Sequence, residues 1–236
     1  MLVKMGHEFS NGAVQVILLG GRVTRRPKPN VFVWVDSEFV TETISGPTIK
    51  ELNTDERMTW VPGYFMQAQP KADLTSFRGE VDKNYAGLTY CYNSPLLAER
   101  VNDITIALRE GSKDAREQGV DLKTSVVGTG QAGPIALLAA AASGEKFERV
   151  IVDLNGFSFS KVRETNGEMM LPGALRYGDI GGLAAMVSCK EMTLFGTKGI
   201  PAQALEPLKR IAKHGNMKLT LHNESLDKTK LPVLLK

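Results

Sequence analysis

The segment SVVGTGQAGPIALLAAAA, at positions 125–142, contains residue types that could form a reactive or ligand-binding turn. A short apolar strand leads into a glycine-rich turn, and a helix rich in alanine and leucine follows. In a nucleophile elbow, the central residue of such a turn attacks a carbonyl carbon. In a dinucleotide-binding turn, the glycines let a pyrophosphate contact the helix N-terminus. The central residue here is Gly130, which has no side chain and cannot act as a nucleophile.

The glycine spacing also matches a dinucleotide-binding fingerprint. Gly128, Gly130 and Gly133 fit the pattern G-x-G-x-x-G. Asp153 ends the next predicted strand 20 residues after Gly133, where an acid could bond a ribose hydroxyl. However, about 120 residues of strand and helix pattern precede the turn, whereas a dinucleotide-binding domain normally begins with it. An NAD(P)-binding Rossmann-type domain therefore stays open as an alternative.

The elements around the turn predict the α/β fold class, with a mostly parallel central sheet and helices on both faces. The hydrophobic spacing of Leu97, Val101, Ile104 and Leu108 predicts one buried helical stripe. The predicted strands are 13–23, 30–36, 59–67, the strand that opens the glycine turn, 149–154, 191–195 and 217–222. Pro62 and Gly63 are expected to limit the regular part of the strand at 59–67 to the residues from Tyr64 onward. The predicted helices are 44–57, 94–111, the helix after the turn, a glycine-interrupted region at 172–187, and 202–213.

Composition and charge limit the classes of protein to which the chain could belong. The 236 residues are 42% hydrophobic and 23% charged, and without a repeat or linker we expect a single domain over 1–236. Whether the chain is a whole protein or a piece of a longer one stays open, and the apolar ending LPVLLK favours the second. The basic run at 21–30 holds no aromatic residue for base stacking, so we expect no nucleic-acid partner.

Metal, membrane and targeting signals are not found in the sequence. The two cysteines and three histidines have no metal-ligand spacing, so we expect no metal and no cofactor. No segment approaches the roughly 20 apolar residues of a membrane span. The N-terminal residues lack the pattern of a signal peptide, and the sequence does not indicate a compartment.

Five segments together resemble the α/β-hydrolase superfamily. They are RGE (78–80), YNSPLLAERVNDI (92–104), VVGTGQAGPIALLAAA (126–141), VDLNGF (152–157) and MLPGALRYGDIGGLAA (170–185). The chain is most similar to acetyl-xylan-esterase-like and dienelactone-hydrolase-like domains, especially those with a glycine elbow, and LPGALRYGDIGGL is its most distinctive part. The resemblance implies a three-layer α/β-hydrolase-like sandwich and a place in the carboxylic-ester hydrolase (esterase) lineage.

The resemblance also implies roles for the residues of the turn. Gly130 would occupy the nucleophile position, and the backbone N–H of Gln131 would help to bind an oxyanion. Gly128 and Ala132 would keep the small side chains that a strained turn requires. Gly133 would complete the elbow, which is degenerate because its nucleophile is missing.

Substitutes for the other catalytic groups are weak. Thr129 has a hydroxyl beside the apex, but we expect its side chain to point away from the reacting position. Asp153 is a candidate acid, and a loop cap is its simpler role; the strand at 191–195 is followed by GTKG, which offers no carboxylate. His222 is a candidate base in the loop after the last strand, and a solvated surface histidine is its simpler role.

The loop after the strand at 30–36 is expected to face the oxyanion. It reads DSEFVTETISG, in which Asp36 and Glu38 would place negative charge where negative charge develops. Ser37 is the one hydroxyl near its start, with no base beside it in sequence.

We therefore expect a member of the esterase lineage whose activity is weak, non-classical or absent, and whose substrate, if it is active, is a small acyl ester. A non-catalytic scaffold or binding domain is the alternative, and the NAD(P)-binding domain is the second alternative. Assembly into a homo-oligomer, or attachment to a multidomain parent protein, stays open.

Overall fold

The computed structural model of the chain describes residues 2–9, 12–19, 30–38, 40–54, 57–64, 67, 94–117, 119, 121–165 and 167–235. The RGE segment at 78–80 lies outside the described residues.

One eight-stranded sheet forms the centre of the fold, in the order β1-β2-β4-β3-β5-β6-β7-β8. The first three strands in this order pair antiparallel, and the six from β4 to β8 pair parallel. The strands are β1 Leu2–Phe9, β2 Gly12–Leu19, β3 Asn30–Val35, β4 Arg57–Pro62, β5 Lys123–Gly128, β6 Lys146–Asp153, β7 Ser188–Phe195 and β8 Lys218–Leu221. The predicted mostly parallel sheet is confirmed.

Helices cover both faces of this sheet. They are α1 Val40–Ser45, α2 Pro47–Leu52, α3 Leu96–Glu117, α4 Gly133–Ser143, α5 Asp179–Ala184, α6 Ala202–His214 and α7 Leu231–Leu234. The strand β3 shows how the layers form, because alternate side chains of a strand point to opposite faces. Val31, Val33 and Val35 pack in a core with α3 and α4, whereas Phe32 and Trp34 pack in a second core with α2 and α7.

The long helix α3 packs as its sequence pattern predicts. Leu97, Ile104 and Leu108 are almost fully buried, and Val101 packs against the same core. Helix α4 follows the glycine turn and is buried nearly all round, so its apolar residues fill the space between the sheet and α3.

Two predictions of local structure are wrong. The helix predicted at 44–57 is two short helices, α1 and α2, which meet at Gly46 and Pro47 because proline cannot continue the hydrogen-bond pattern of α1. The strand expected from Tyr64 onward is β4, which ends at Pro62. The buried side chains that define it come earlier, at Thr59 and Val61.

Candidate functional site

The residues with possible chemistry lie at one edge of the sheet. Six strands run parallel, so their carboxyl ends meet at the same edge, which is where ligands bind in open α/β sheets. The loops that begin there start after Val35, Pro62, Gly128, Asp153, Phe195 and Leu221. They include Ser37, Glu38, Thr129, Gly130, Gln131 and His222, whereas Gly128 and Asp153 are the last residues of their strands and Gly133 begins α4.

The turn after β5 has the geometry of a tight elbow. Gly130 has φ +57°, a left-handed conformation that favours glycine. A β-carbon on Gly128 would lie 2.7 Å from the β-carbon of Ala136. A β-carbon on Gly133 would overlap the carbonyl oxygen of Asp153. The glycines therefore allow β5, the turn and α4 to approach more closely than any side chain permits.

A hydroxyl from the neighbouring loop lies at the apex of this turn. The Oγ of Ser37 is 2.8 Å from the position that a β-carbon on Gly130 would occupy. Ser37 follows β3, the strand that pairs with β5, and it is partly exposed. The part of space that a nucleophilic side chain would fill is thus bordered by a serine from another strand.

Charged groups hold the loop of Ser37 in place. Asp36 is 1% exposed, and its Oδ1 accepts hydrogen bonds from the backbone N–H groups of Ser37, at 2.7 Å, and Glu38, at 3.4 Å. The Nζ of Lys228 lies 2.9 Å from both Asp36 carboxylate oxygens and 3.0 Å from Oε1 of Glu38. The buried side chain of Gln67 donates to the backbone carbonyl of Asp36 at 2.9 Å. We call Asp36, Glu38 and Lys228 the charge cluster.

The ammonium of Lys228 stays protonated in this arrangement. Burial by itself lowers the pKa of Lys228, but its hydrogen bonds and charge attraction to Asp36 and Glu38 outweigh burial and raise that pKa above its ordinary value. A lysine with a raised pKa cannot serve as a general base near neutral pH.

Tyr64 and Arg100 form a second group close to the charge cluster. The guanidinium carbon of Arg100 is 5.8 Å from the centroid of the Tyr64 ring, and its Nη1 is 3.0 Å from Oε2 of Glu168. Burial raises the pKa of the Tyr64 hydroxyl to about 12; Arg100 opposes the rise, and the charges of Asp36 and Glu168 add to it.

Thr129 has a buried partner within the fold. It is completely buried, and its Oγ1 accepts a 2.9 Å hydrogen bond from the indole N–H of Trp34. Its backbone N–H donates to the carbonyl of Val35 at 3.0 Å. These bonds join the ends of β3 and β5.

Asp153 has both carboxylate oxygens engaged by backbone. Oδ1 accepts the N–H of Asn155 at 2.8 Å, and Oδ2 accepts the N–H of Leu226 at 2.9 Å. The side chain is 3% exposed. A β-carbon on Gly196, the first residue after β7, would overlap Oδ1, so that glycine makes room for the carboxylate.

The ring of His222 is stacked on a neighbouring ring. Its centroid lies 4.5 Å from that of Phe195, with an angle of 14° between the two planes. Its backbone carbonyl accepts hydrogen bonds from the N–H of Thr197, at 3.1 Å, and from its hydroxyl, at 2.9 Å. None of the hydrogen bonds found among the described residues joins the imidazole to Ser37 or Asp153.

Solved structures of esterases superpose on nearly the whole chain. A lipase/esterase from Lactobacillus plantarum does so with a TM-score of 0.60 at 8% identity, over 100% of this chain and 95% of its own. A protein assigned as a dienelactone hydrolase, from Klebsiella pneumoniae, has a TM-score of 0.58 at 12% identity, with the same two coverages. An acetyl ester-xyloside bifunctional hydrolase from Caldicellulosiruptor lactoaceticus has a TM-score of 0.52 at 14% identity, over 92% and 79%.

The chain has an α/β-hydrolase-like fold. The fold expected from the sequence resemblance is confirmed, and four of the five segments that carried the resemblance lie on β5, α3, α4, α5 and the loops that follow β6. No family model and no curated protein matches the chain. At such low identities the similarity of structure establishes the fold and leaves the activity to the side chains.

Within the described part of this hydrolase fold, no three histidine, cysteine or acidic side chains lie close enough together to bind a metal ion. A search of the same residues found no helix with the length and apolar character needed to span a membrane.

The sequence did not single out Lys228, whose partner Asp36 is 192 positions away. It also did not single out Gln67. The only sequence signal for Lys228 is a basic residue in the loop after the last strand, close to the candidate His222.

Proposed function

We propose that the chain is a domain of the carboxylic-ester hydrolase lineage in which Gly130 stands at the nucleophile position, so that ester hydrolysis is weak, non-classical or absent. The observation that carries this proposal is the left-handed Gly130 at the apex of the strand-turn-helix unit, with small residues on each side. The strained backbone of an elbow is retained, but the apex has no attacking atom.

The loop that would bind the oxyanion supports the same proposal. In an ester hydrolase, backbone N–H groups point at the oxygen on which negative charge develops. Here the N–H groups of Ser37 and Glu38 point at the carboxylate of Asp36 instead. A carboxylate that accepts these bonds competes with an oxyanion for the same donors, which opposes the chemical step.

Among the described residues, Ser37 provides the hydroxyl that contacts the apex position, and it lacks a suitable base. Its Oγ is 3.5 Å from Oδ1 of Asp36, which already accepts hydrogen bonds from Lys228 and the loop backbone. A contact of 3.5 Å is too long for a strong hydrogen bond, so Asp36 does not hold the Ser37 hydroxyl in position for proton transfer. Residual turnover through Ser37 would therefore be slow and limited to activated, small acyl esters.

A non-catalytic binding or scaffold domain is the second candidate. The charge cluster favours it, because Asp36 engages the backbone N–H groups of the loop that would otherwise bind the oxyanion, and Lys228 neutralises that carboxylate. The dinucleotide alternative has less support, because Asp153 is 3% exposed and each of its oxygens already accepts a backbone N–H group, which leaves little access for a ribose hydroxyl.

Turnover of p-nitrophenyl acetate, with and without a serine-directed phosphonate, tests the proposal. We expect no phosphonate-sensitive turnover and no phosphonate adduct by mass spectrometry. If turnover is found, the variant Ser37→Ala and the control Ser160→Ala locate its source. Turnover that is lost in Ser37→Ala and kept in Ser160→Ala would identify Ser37 as a nucleophile and contradict the proposal. A thermal shift of several degrees with NAD(P) would instead support the dinucleotide alternative, since a ligand that binds only the native state raises its stability.

A further inference from the structure

The distinctive segment LPGALRYGDIGGL contributes nothing to the apex site and presents apolar side chains to solvent. Its 3-10 turn, Ala174–Tyr177, lies between Gly173 at φ +83° and Gly178 at φ +84°. Leu175 is 58% exposed and Tyr177 is 71% exposed. Exposed apolar side chains that lie together in one patch commonly mark a surface that another molecule covers.

A buried carboxylate stabilises this turn through hydrogen bonds. Asp179, which follows Gly178, is 6% exposed and has φ +59°. Its carboxylate accepts three hydrogen bonds of 2.7 Å, from the hydroxyl of Ser158 and the backbone N–H groups of Phe159 and Ile180. A non-glycine residue in the left-handed region costs about 1–2 kcal/mol, and these bonds offset that cost.

Helix α6 supports the turn from the side. A β-carbon on Gly178 would lie 3.1 Å from Cγ of Pro207, and one on Gly181 would overlap the carbonyl oxygen of Ala204. One helical turn after Pro207, Ile211 is 50% exposed and lies on the same side of α6. The apolar side chains of the turn and of α6 thus belong to one rigid surface.

The charges on this surface are mostly positive. Arg176 in the turn and Arg210 beside Ile211 are exposed. Across 174–186 and 202–214, both fully described, the one exposed carboxylate is Glu206, whose Oε1 lies 3.0 Å from Nζ of Lys209. We call Leu175, Arg176, Tyr177, Arg210 and Ile211 the Tyr177 face.

We propose that the Tyr177 face binds a segment of another protein that carries both acidic and apolar side chains. Tyrosine and arginine are enriched at the centres of protein interfaces, and arginine pairs with carboxylates in a bidentate geometry. The charge of the face favours an acidic partner over a second copy of the same basic surface. The hydrogen bonds of Asp179 and the close packing at Gly178 and Gly181 already hold the backbone of the turn. Little backbone conformational entropy is therefore lost when the partner binds.

Selection from a random peptide library on the whole, immobilised chain tests this assignment. We expect selected peptides to be enriched in aspartate and glutamate together with leucine and aromatic residues. Their affinity should fall about thirtyfold in Tyr177→Ala and in Arg176→Glu, the loss typical of an interface hot spot. The matched control is Val233→Ala, at a side chain 69% exposed on α7, which should leave affinity unchanged.

Several results would overturn the proposal. One is a library that yields no binder, and another is a set of selected peptides without acidic enrichment. A third is a Tyr177→Ala variant that unfolds at the same temperature as the parent chain and binds the selected peptides equally well. Concentration-dependent dimers by sedimentation that Tyr177→Ala abolishes would also do so, because the face would then be occupied by a second copy.

Discussion

The side-chain oxygen of Ser37 lies 2.8 Å from the place where a β-carbon on Gly130 would project. Two neighbouring parallel strands, β3 and β5, bring these residues together at the carboxyl edge of the sheet. The relationship means that an attacking side chain cannot be added at position 130 unless the side chain of Ser37 moves aside.

Gly130→Ser should therefore destabilise the protein without creating an esterase. The left-handed backbone costs a non-glycine residue about 1–2 kcal/mol, and contact with Ser37 adds to this. Ser37→Gly in the same chain should recover the part due to contact. Urea unfolding measures the free energies, and p-nitrophenyl acetate turnover should stay at background in both variants. A phosphonate-sensitive gain in Gly130→Ser would show that base and oxyanion donors are intact, contrary to our proposal.

Gly133→Ala should be far more damaging than Gly144→Ala. A β-carbon on Gly133 would overlap the carbonyl of Asp153, so α4 must move away from β6, at a cost of about 3 kcal/mol. Gly144, at φ +70°, has no atom within 4 Å of its β-carbon position, so only the backbone cost of about 1 kcal/mol applies. Urea unfolding compares them; equal losses would mean that the close approach of α4 to β6 is not required.

Lys228→Met should destabilise the fold by leaving Asp36 buried without its counterion. Because the Lys228 side chain is 31% exposed, we expect about 2 kcal/mol, less than the 3–5 kcal/mol of a fully buried pair. The double variant Asp36→Asn with Lys228→Met should lose less than the sum of the single losses. Lys190→Met removes a surface pair with Glu148 and is the control, with a loss below about 0.5 kcal/mol. If the double variant loses as much free energy of unfolding as the two single variants together, Asp36 and Lys228 are not energetically coupled.

The Tyr64 hydroxyl should lose its proton at an unusually high pH. The free energy of unfolding should therefore depend on pH in the alkaline range. Its folded pKa of about 12 lies above the ordinary value of 10.0, so the folded state holds this proton more tightly than the unfolded state. The resulting stability is fully present below pH 10 and is lost as pH rises toward 12. Lys228, whose pKa is also raised, acts in the same direction above its ordinary 10.5.

Difference absorbance between the parent chain and Tyr64→Phe checks this prediction, because phenolate formation is read directly in the ultraviolet. We expect the missing transition to have its midpoint near pH 12. A midpoint near pH 10 would show that the Tyr64 hydroxyl is not buried in solution.

The sequence by itself determined the parallel sheet, the buried stripe of α3 and the tight turn at Gly130. These features depend on local backbone preference and on periodic burial, which neighbouring residues encode directly. The boundaries of β4 and the break between α1 and α2 were predicted wrongly, because Pro47 and Pro62 each fit more than one local structure.

Only the tertiary structure decided which side chains meet at the sheet edge. Asp36 and Lys228 are 192 positions apart, and Asp179 meets Ser158 through a turn with positive φ that no spacing rule anticipates. Parallel crossovers bring such distant loops together, and the contact then depends on the exact lengths of β3, β8 and the turns between them. A local pattern specifies an element, whereas the partner of a buried charge is set by where the other elements end.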